Sequence, residues 1–461
     1  MALSVRDSVR RLVRENLALK RERLGIAIAN ADILREQGVF GFDLDLRLDV
    51  THGNEPRGIQ NFFSGGQAIN VEIFRQGWTL DGDIGLRKRF SLGTVISAVW
   101  NHRWSTANTS FLALDDAGVQ RSTLIETLTS SFALTLTQPL LKGAWSKANM
   151  AMIWHAESNK RKIKAQLAGV VSQYVAQMLL AYWDLHYARA NERIQRANIA
   201  LAEAQRKTTQ AFIAAGKKSA LELYEAKQAV AKGNLAVLQA IRVKEEAETR
   251  CKTLLGMENE ASLMLTTAVE LTKPLPELKR WLMHVERSSV ELMAARQDKR
   301  MAELRLGLAK NALLPQLDVT MGFTFLGLGN RVQGIQTDSS PAGRAYGTLF
   351  DPRTHTFRGG VVLKIPLDNR QAWSEVQRRQ VERRRATLLM QEIRLKLRLE
   401  LRQLVQIVKR TRQRIPLARV SLELAEKKLE AEKTRYRMGL STLFQLLQYQ
   451  QDLAKSRLEV V

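Results

Sequence analysis

The pattern of apolar and polar positions changes period several times along this chain, and the sequence of changes repeats. Over residues 3–36, Val5, Val9, Leu12, Val13, Leu17 and Leu19 recur at roughly helical spacing among Arg, Lys and Glu, which predicts one amphipathic helix. Phe40, Phe42, Leu44, Leu46, Leu48 and Val50 then alternate with Gly41, Asp43, Asp45, Arg47 and Asp49. Alternation of this kind predicts a strand with one apolar and one wet face. Its length suits a membrane-spanning barrel strand, which needs about 9–11 residues; a two-faced strand of a soluble sheet fits equally well.

Residues 51–130 are less regular, with turn clusters at His52-Gly-Asn-Glu-Pro56 and Phe63-Ser-Gly-Gly66. A run through Ile84, Leu86, Phe90, Leu92, Thr94, Ile96 and Ala98 predicts at least one more strand. Phe132, Leu134 and Leu136 predict another, ending near Pro139, which lacks a ladder donor. From Ala144 to Ala214 there is no proline and one interior glycine, Gly169. A helix of that length would extend roughly 105 Å if straight, which predicts a coiled-coil-like rod. A turn at Gly216 and a return helix to about Leu255 follow, then a connector marked by Gly256, Pro274 and Pro276, and a helix from about Glu277 that stops before Pro315.

The order of events then recurs. Leu317, Val319, Met321, Phe323 and Phe325 predict a strand, a polar loop carries Pro341 and Pro352, and Phe357, Val361, Leu363 and Ile365 predict its neighbour, ending at Pro366. A second long helix runs from about Ala372 to Met438. Within it, Ile393-Arg-Leu-Lys-Leu-Arg-Leu-Glu-Leu401 alternates like a strand, but its residues are strong helix formers, so helix is expected. Pro416 should kink it.

Two tips anchor the repeat. Gly216-Lys-Lys-Ser219-Ala-Leu-Glu222-Leu223 and Gly439-Leu-Ser-Thr442-Leu-Phe-Gln445-Leu446 share the pattern Gly-x-x-[Ser/Thr]-x-x-[Glu/Gln]-Leu at an offset of 223 residues. The glycine can end a helix in the left-handed conformation, the hydroxyl can N-cap the next, and Glu222 or Gln445 can reach back as a capping box. Gln138-Pro-Leu-Leu-Lys-Gly-Ala-Trp-Ser146 likewise matches Ile365-Pro-Leu-Asp-Asn-Arg-Gln-Ala-Trp-Ser374. The chain is an internal duplication. It divides into a helix (1–37), a first strand pair with a long loop or extra strand (38–138), a long helix with tip and return helix (139–256), a connector (257–278), a helix (279–314), a second strand pair (315–366) and a second long helix with tip and return helix (367–461).

Composition narrows the function classes. Net charge is +25, which favours polyanionic partners or an anionic surface. No run of about 18 apolar residues is present, so no transmembrane helix is expected, whereas an alternating barrel strand would escape that test. The single Cys251 and six scattered His residues show no metal-ligand spacing, and neither a phosphate-cradling glycine loop nor a nucleophile motif is present, so neither cofactor nor enzyme activity is expected. The first residues contain no signal-peptide core, which reads as a cytosolic protein or as a chain shown without its leader. A soluble basic coiled-coil protein that binds nucleic acid is the alternative reading, although no recognition motif supports it.

The chain resembles the TolC-like outer-membrane efflux family over almost its whole length. The residues that carry the resemblance are the Ser4-Val-Arg-Asp-Ser-Val-Arg-Arg-Leu helix, Leu136-Thr-Gln-Pro-Leu-Leu141, Leu313-Leu-Pro315 and both tips. The resemblance implies an α+β, mostly α fold in a homotrimer. Each chain would give four strands to one 12-stranded outer-membrane β-barrel, and the helices would form a periplasmic α-barrel. Residues 1–37 would be a periplasmic helix and residues 257–278 an equatorial connector. The implied role is the passive exit duct of a tripartite efflux pump or type I secretion system in outer-membrane lipid. A periplasmic adaptor would open it and link it to an inner-membrane transporter, with no nucleic acid involved.

Carried over residue by residue, the resemblance makes Ala215, Gly216, Lys217, Ser219, Met438, Gly439, Leu440 and Thr442 adaptor-contact positions. Glu222 and Tyr436 fall where the family holds its closed tip with an acid and a tyrosine; the bland readings are a capping-box residue and a helix-packing aromatic. The arginine that completes the family's set is absent, Ser441 standing there. Between Arg378 and Arg414, 13 Lys/Arg face three Glu, a local net of 13 − 3 = +10. Arg394, Arg398 and Arg402 share one helical face, either a solvated surface or a basic duct lining for anionic cargo.

Overall fold

The computed structural model describes residues 2–64, 67–113, 121–258, 262–267, 277–335 and 339–461, with backbone alone over 56–64, 67–74, 110–113 and 121–122. In chain order its elements are β1 (Ala2–Leu3), α1 (Val5–Glu15), α2 (Leu17–Gly38), β2 (Phe42–Ser64), β3 (Gln67–Arg89), β4 (Val95–Ala113) and β5 (Arg121–Pro139). There follow α3 (Trp145–Asn149), α4 (Ala151–Ala214), α5 (Ala220–Leu255), β6 (Met264–Leu265), α6 (Leu278–Ser288), α7 (Val290–Ala312), β7 (Gln316–Val332), α8 (Pro341–Thr348), β8 (His355–Lys364), α9 (Arg370–Arg437) and α10 (Leu443–Val460). The fold is mostly helical with one large sheet. It divides into a helical unit (residues 1–28, 160–297 and 388–461) and a sheet-bearing unit (29–159 and 298–387).

In the sheet-bearing unit one antiparallel sheet has the order β2-β3-β4-β5-β7-β8. Among the described residues six strands therefore stand where four were expected. The extra pair lies in the first half, where the described residues of 51–130 continue the ladder rather than form a loop. The run Ile84 to Ala98, read as at least one more strand, holds parts of two, because Phe90 N–H donates to Thr94 O (2.9 Å) around Gly93 at φ +93°. A Cβ at Gly93 would lie 2.4 Å from Gly143 O, so the turn needs glycine for close approach as well as for φ. Trp145 N–H donates to Leu92 O (3.0 Å), tying this turn to the start of α3. The Phe63-Ser-Gly-Gly66 cluster closes on residues 65 and 66, which lie outside the described residues.

The ladder gives the sheet two unlike faces. Phe42, Leu44, Leu46, Leu48 and Val50 of β2 pair with Lys88, Leu86, Ile84, Gly82 and Leu80 of β3, and the same face continues through Ala98, Trp100, Leu134, Phe132, Phe323 and Phe357. The opposite face carries Asp43, Asp45, Asp49, Asp81, Asp83, Asn101, Arg103, Ser131 and Thr135; Arg103 bonds Asp81 and Asn101 bonds Asp83, each at 2.5 Å. Helix α8 covers the apolar face at Gly327 and Gly329, where added Cβ atoms would lie 1.9 Å from Ala345 O and 1.8 Å from Pro341 O.

In the helical unit the first helix is broken, not continuous as expected. Asn16, buried, ends α1 with ψ 122° and starts α2: its Oδ1 accepts from Leu19 N–H (3.1 Å) and its Nδ2 donates to Leu254 O (3.0 Å). Ser289 breaks the corresponding helix between α6 and α7 with the same ψ of 122°, so the duplication extends to the break. The core gathers Leu3, Leu12, Leu19, Met178, Tyr182, Leu185, Cys251, Leu255 and Leu263. Strand β1 pairs in parallel with β6 beside it, and Tyr182 OH donates to Leu3 O (3.1 Å). Of the connector, Gly256 takes φ +63°, while Pro274 and Pro276 lie outside the described residues. Residues 393–401 are helical, and α9 continues through Pro416.

Candidate functional site

Each tip is built by the same backbone chemistry. At the first, Gly216 takes φ +72°, Gly216 N–H donates to Ile213 O (2.9 Å) and Lys217 N–H to Phe212 O (2.9 Å). At the second, Gly439 takes φ +77°, its N–H donates to Tyr436 O (3.1 Å) and Leu440 N–H to Arg435 O (2.9 Å). These bonds satisfy the last helical carbonyls, and the left-handed backbone is cheap only for glycine. Ser219 then caps α5 by accepting from Leu221 N–H (3.3 Å), and Thr442 caps α10 by accepting from Gln445 N–H (3.3 Å).

The returning half of the expected capping box is replaced by other bonds. Glu222 Oε2 accepts from Tyr436 OH (3.0 Å), and Glu222 Oε1 pairs with Lys218 Nζ (3.3 Å). Gln445 Oε1 accepts from Ser441 Oγ (3.2 Å). Glu222 thus joins the first tip to the second. Tyr436 is 2% exposed, 3.4 Å from Thr209 Oγ1, with its ring beside Phe212 and 4.8 Å from Lys218 Nζ. Burial, reinforced by the Glu222 carboxylate, pushes the Tyr436 phenol above its ordinary range, so it is a hydrogen-bond donor at neutral pH. Leu429, Leu443, Leu446, Leu453 and Ala226 pack around it.

The second tip holds its own polar pair. Ser441, where the resemblance led us to look for an arginine, donates to the buried carboxylate of Glu432, which also lies 3.9 Å from Arg435 Nη1. Lys218 is the cation nearest the Glu222–Tyr436 contact, supplied by the same chain. Sequence reasoning missed Lys218, Thr209 and Glu432; the i,i+4 spacing of Lys218 and Glu222 was a legible signal, whereas Thr209 and Glu432 required the tertiary fold.

Ala215, Gly216, Lys217, Ser219, Met438, Gly439, Leu440 and Thr442 are all exposed. Large apolar side chains add to this surface, with Leu221, Leu440 and Phe444 each about two-thirds exposed. Arg394, Arg398 and Arg402 lie on α9 away from the tips in sequence. Arg398 Nε donates to Glu286 (2.6 Å), Arg402 is exposed, and Arg394 Nε is buried without a hydrogen-bond partner.

Residues 281–461 match the family described as outer membrane efflux protein. No curated protein matches the chain in sequence. Among solved structures, a membrane protein from Pseudomonas aeruginosa superimposes with a TM-score of 0.66 at 16% identity, over 98% of this chain and 88% of that one. The outer membrane protein VceC of Vibrio cholerae gives 0.64 at 14% identity over 99% and 91%, and the CmeC outer membrane channel of Campylobacter jejuni 0.64 at 14% over 98% and 81%. The chain therefore has the fold of TolC-like outer-membrane channels and is similar to the outer membrane efflux proteins in sequence over residues 281–461.

Proposed function

We propose that this chain is the outer-membrane duct of a tripartite efflux pump or a type I secretion system, a passive conduit formed by a homotrimer. The observation that carries the reading is the two-faced sheet on the same chain as two duplicated helical hairpins. Nine alternating residues from Phe42 to Val50 suit the hydrocarbon height of a membrane barrel strand, and open sheet edges are not stable in lipid. The apolar face then meets lipid and the aspartate-bearing face meets the aqueous lumen. The helices extend into the periplasm, and the exposed apolar residues of the two tips receive the adaptor, which couples the duct to an inner-membrane transporter. Glu222 and Tyr436 hold the tip closed, with Lys218 as their cation. The basic stretch of α9, with Arg394, Arg398 and Arg402, lines the duct and favours anionic cargo.

The test is expression behind an export signal, with recovery of a trimer from the outer-membrane fraction in detergent and restored efflux in a channel-deficient strain supplied with a matching adaptor and transporter. Recovery as a soluble monomer bound to nucleic acid would sink the reading. Replacing the three α9 arginines with Gln should slow export of anionic substrates more than of neutral ones; equal export of both removes the duct-lining role.

A further inference from the structure

Among the described residues the sheet has six antiparallel strands, and both its edges are open. We propose that three copies join β8 of one chain to β2 of the next, closing an outer-membrane barrel of 3 × 6 = 18 strands. This rests on the duct reading above, and it names the seam between copies.

Four observations carry it. First, β2 and β8 each have one ladder partner among the described residues, so each presents an unpaired backbone edge. Such edges cannot face lipid unpaired. Secondly, six alternating strands leave β2 and β8 running in opposite directions, so the new pair is antiparallel like every other pair in the sheet. Thirdly, exposure on the apolar face rises at the two flanks. Leu44, Leu46 and Leu48 on β2 are 63–71% exposed and Phe357 and Val361 on β8 67–69%, whereas Ile84 and Leu86 on β3 are 43%. The excess is the area that a neighbouring strand would cover. Fourthly, the polar sides of the edges are complementary. β2 carries Asp43, Asp45 and Asp49 with Arg47, a net of 1 − 3 = −2, and β8 carries Arg358 and Lys364, a net of +2.

The extra strands β3 and β4 are integral to the wall. Their inner turn is fixed to α3 through Trp145 N–H and Leu92 O, and both strands hydrogen-bond along the whole apolar band. Barrel diameter grows roughly linearly with strand number, and barrels of about 16–18 strands leave an aqueous channel. An 18-stranded wall is about one and a half times as wide as a 12-stranded one.

Paired cysteines read the seam directly. In full-length chain bearing Cys251→Ala, a cysteine replaces Asp43, Asp45 or Arg47 on β2 and another replaces Arg358, Gly360 or Val362 on β8, all on the polar face. Oxidation of outer membranes should give covalent trimers that collapse on reduction. Cysteines at Ser97, Val99 or Asn101 of β4 paired with the same β8 positions should give none, because β4 meets β8 only if β2 and β3 stand outside the wall. Electron cryo-microscopy of the unsubstituted trimer should count eighteen strands. Coupling between β4 and β8, or a count of twelve in a trimer, overturns the proposal and leaves the duct reading standing. A two-chain particle with β2–β8 coupling overturns the count of eighteen and the homotrimer together. Absence of the chain from the outer membrane overturns the duct reading itself, and the seam with it.

Discussion

Tyr436 donates its hydroxyl hydrogen to Glu222 across 3.0 Å, and this contact joins two tips whose key residues lie 214 positions apart in the chain. Both ends are also held from within the first tip, Glu222 by Lys218 and Tyr436 by Thr209. The contact is therefore a junction between the two halves of the duplication.

Tyr436→Phe removes one hydrogen bond and keeps the ring. The expected cost is roughly 1 kcal/mol, since Glu222 retains Lys218. In planar bilayers the variant should open more often at rest than the unsubstituted channel, and Glu222→Gln should shift the same way. Unchanged open probability in both would remove the gate role and leave a packing role.

Ser441→Ala leaves the Glu432 carboxylate buried with Arg435 at 3.9 Å as its named partner. Loss of a buried partner costs about 1–3 kcal/mol. A lowered melting temperature is expected, restored in part by the double change Ser441→Ala with Glu432→Gln. No recovery in the double variant would mean that the serine acts on the turn and not on the acid.

Gly216 and Gly439 both take positive φ in open surroundings, with nothing within 4 Å of an added Cβ. Replacement by Ala should therefore cost only the left-handed backbone penalty, about 1–2 kcal/mol each. Because the Tyr436–Glu222 bond joins the two tips, the double variant should depart from the sum of the two costs, read by thermal melting.

Cys251 is fully buried, its thiol near Ala181 O, and burial pushes its pKa from 9.0 to about 11. The neutral thiol is favoured in the folded state, so this stability is present below about pH 9 and is lost as pH rises from there towards 11. At pH 8 a maleimide should leave the native protein unlabelled and label it stoichiometrically once unfolded. Rapid labelling of the native form would contradict the buried position.

Gly329→Val places carbon against Pro341 O, where even a Cβ would lie 1.8 Å away. Helix α8 must leave the apolar face. The expected outcome is loss of heat-resistant oligomer on gels, while the same change at Gly307, which has nothing within 4 Å of an added Cβ, should be far milder.

Much of this architecture was legible because it is written in local chemistry. The helix–turn–helix tips follow from glycine at positive φ with Ser219 and Thr442 as caps, and the duplicated order follows from period changes of 3.6 to 2. The strand at 42–50 was legible because a sheet with one apolar and one polar face imposes alternation. Its continuation was not. From His52 onward the alternation weakens and turn-forming residues appear, so the β2–β3 extension and the division of 84–98 into two strands depended on cross-strand bonds and on the Gly93 turn packed against Gly143.

By itself, the sequence determined which segments are helices, where the glycine turns lie and which residues share a strand face, because propensity, capping and periodicity act within a few residues. Only the tertiary structure decided that six strands make one sheet, that Asn16 breaks the first helix by bonding Leu254 O, and that Glu222 abandons its cap to meet Tyr436. Those outcomes depend on partners tens to hundreds of residues away, and a hydrogen bond forms where the fold brings donor and acceptor within about 3 Å, whatever their separation along the chain.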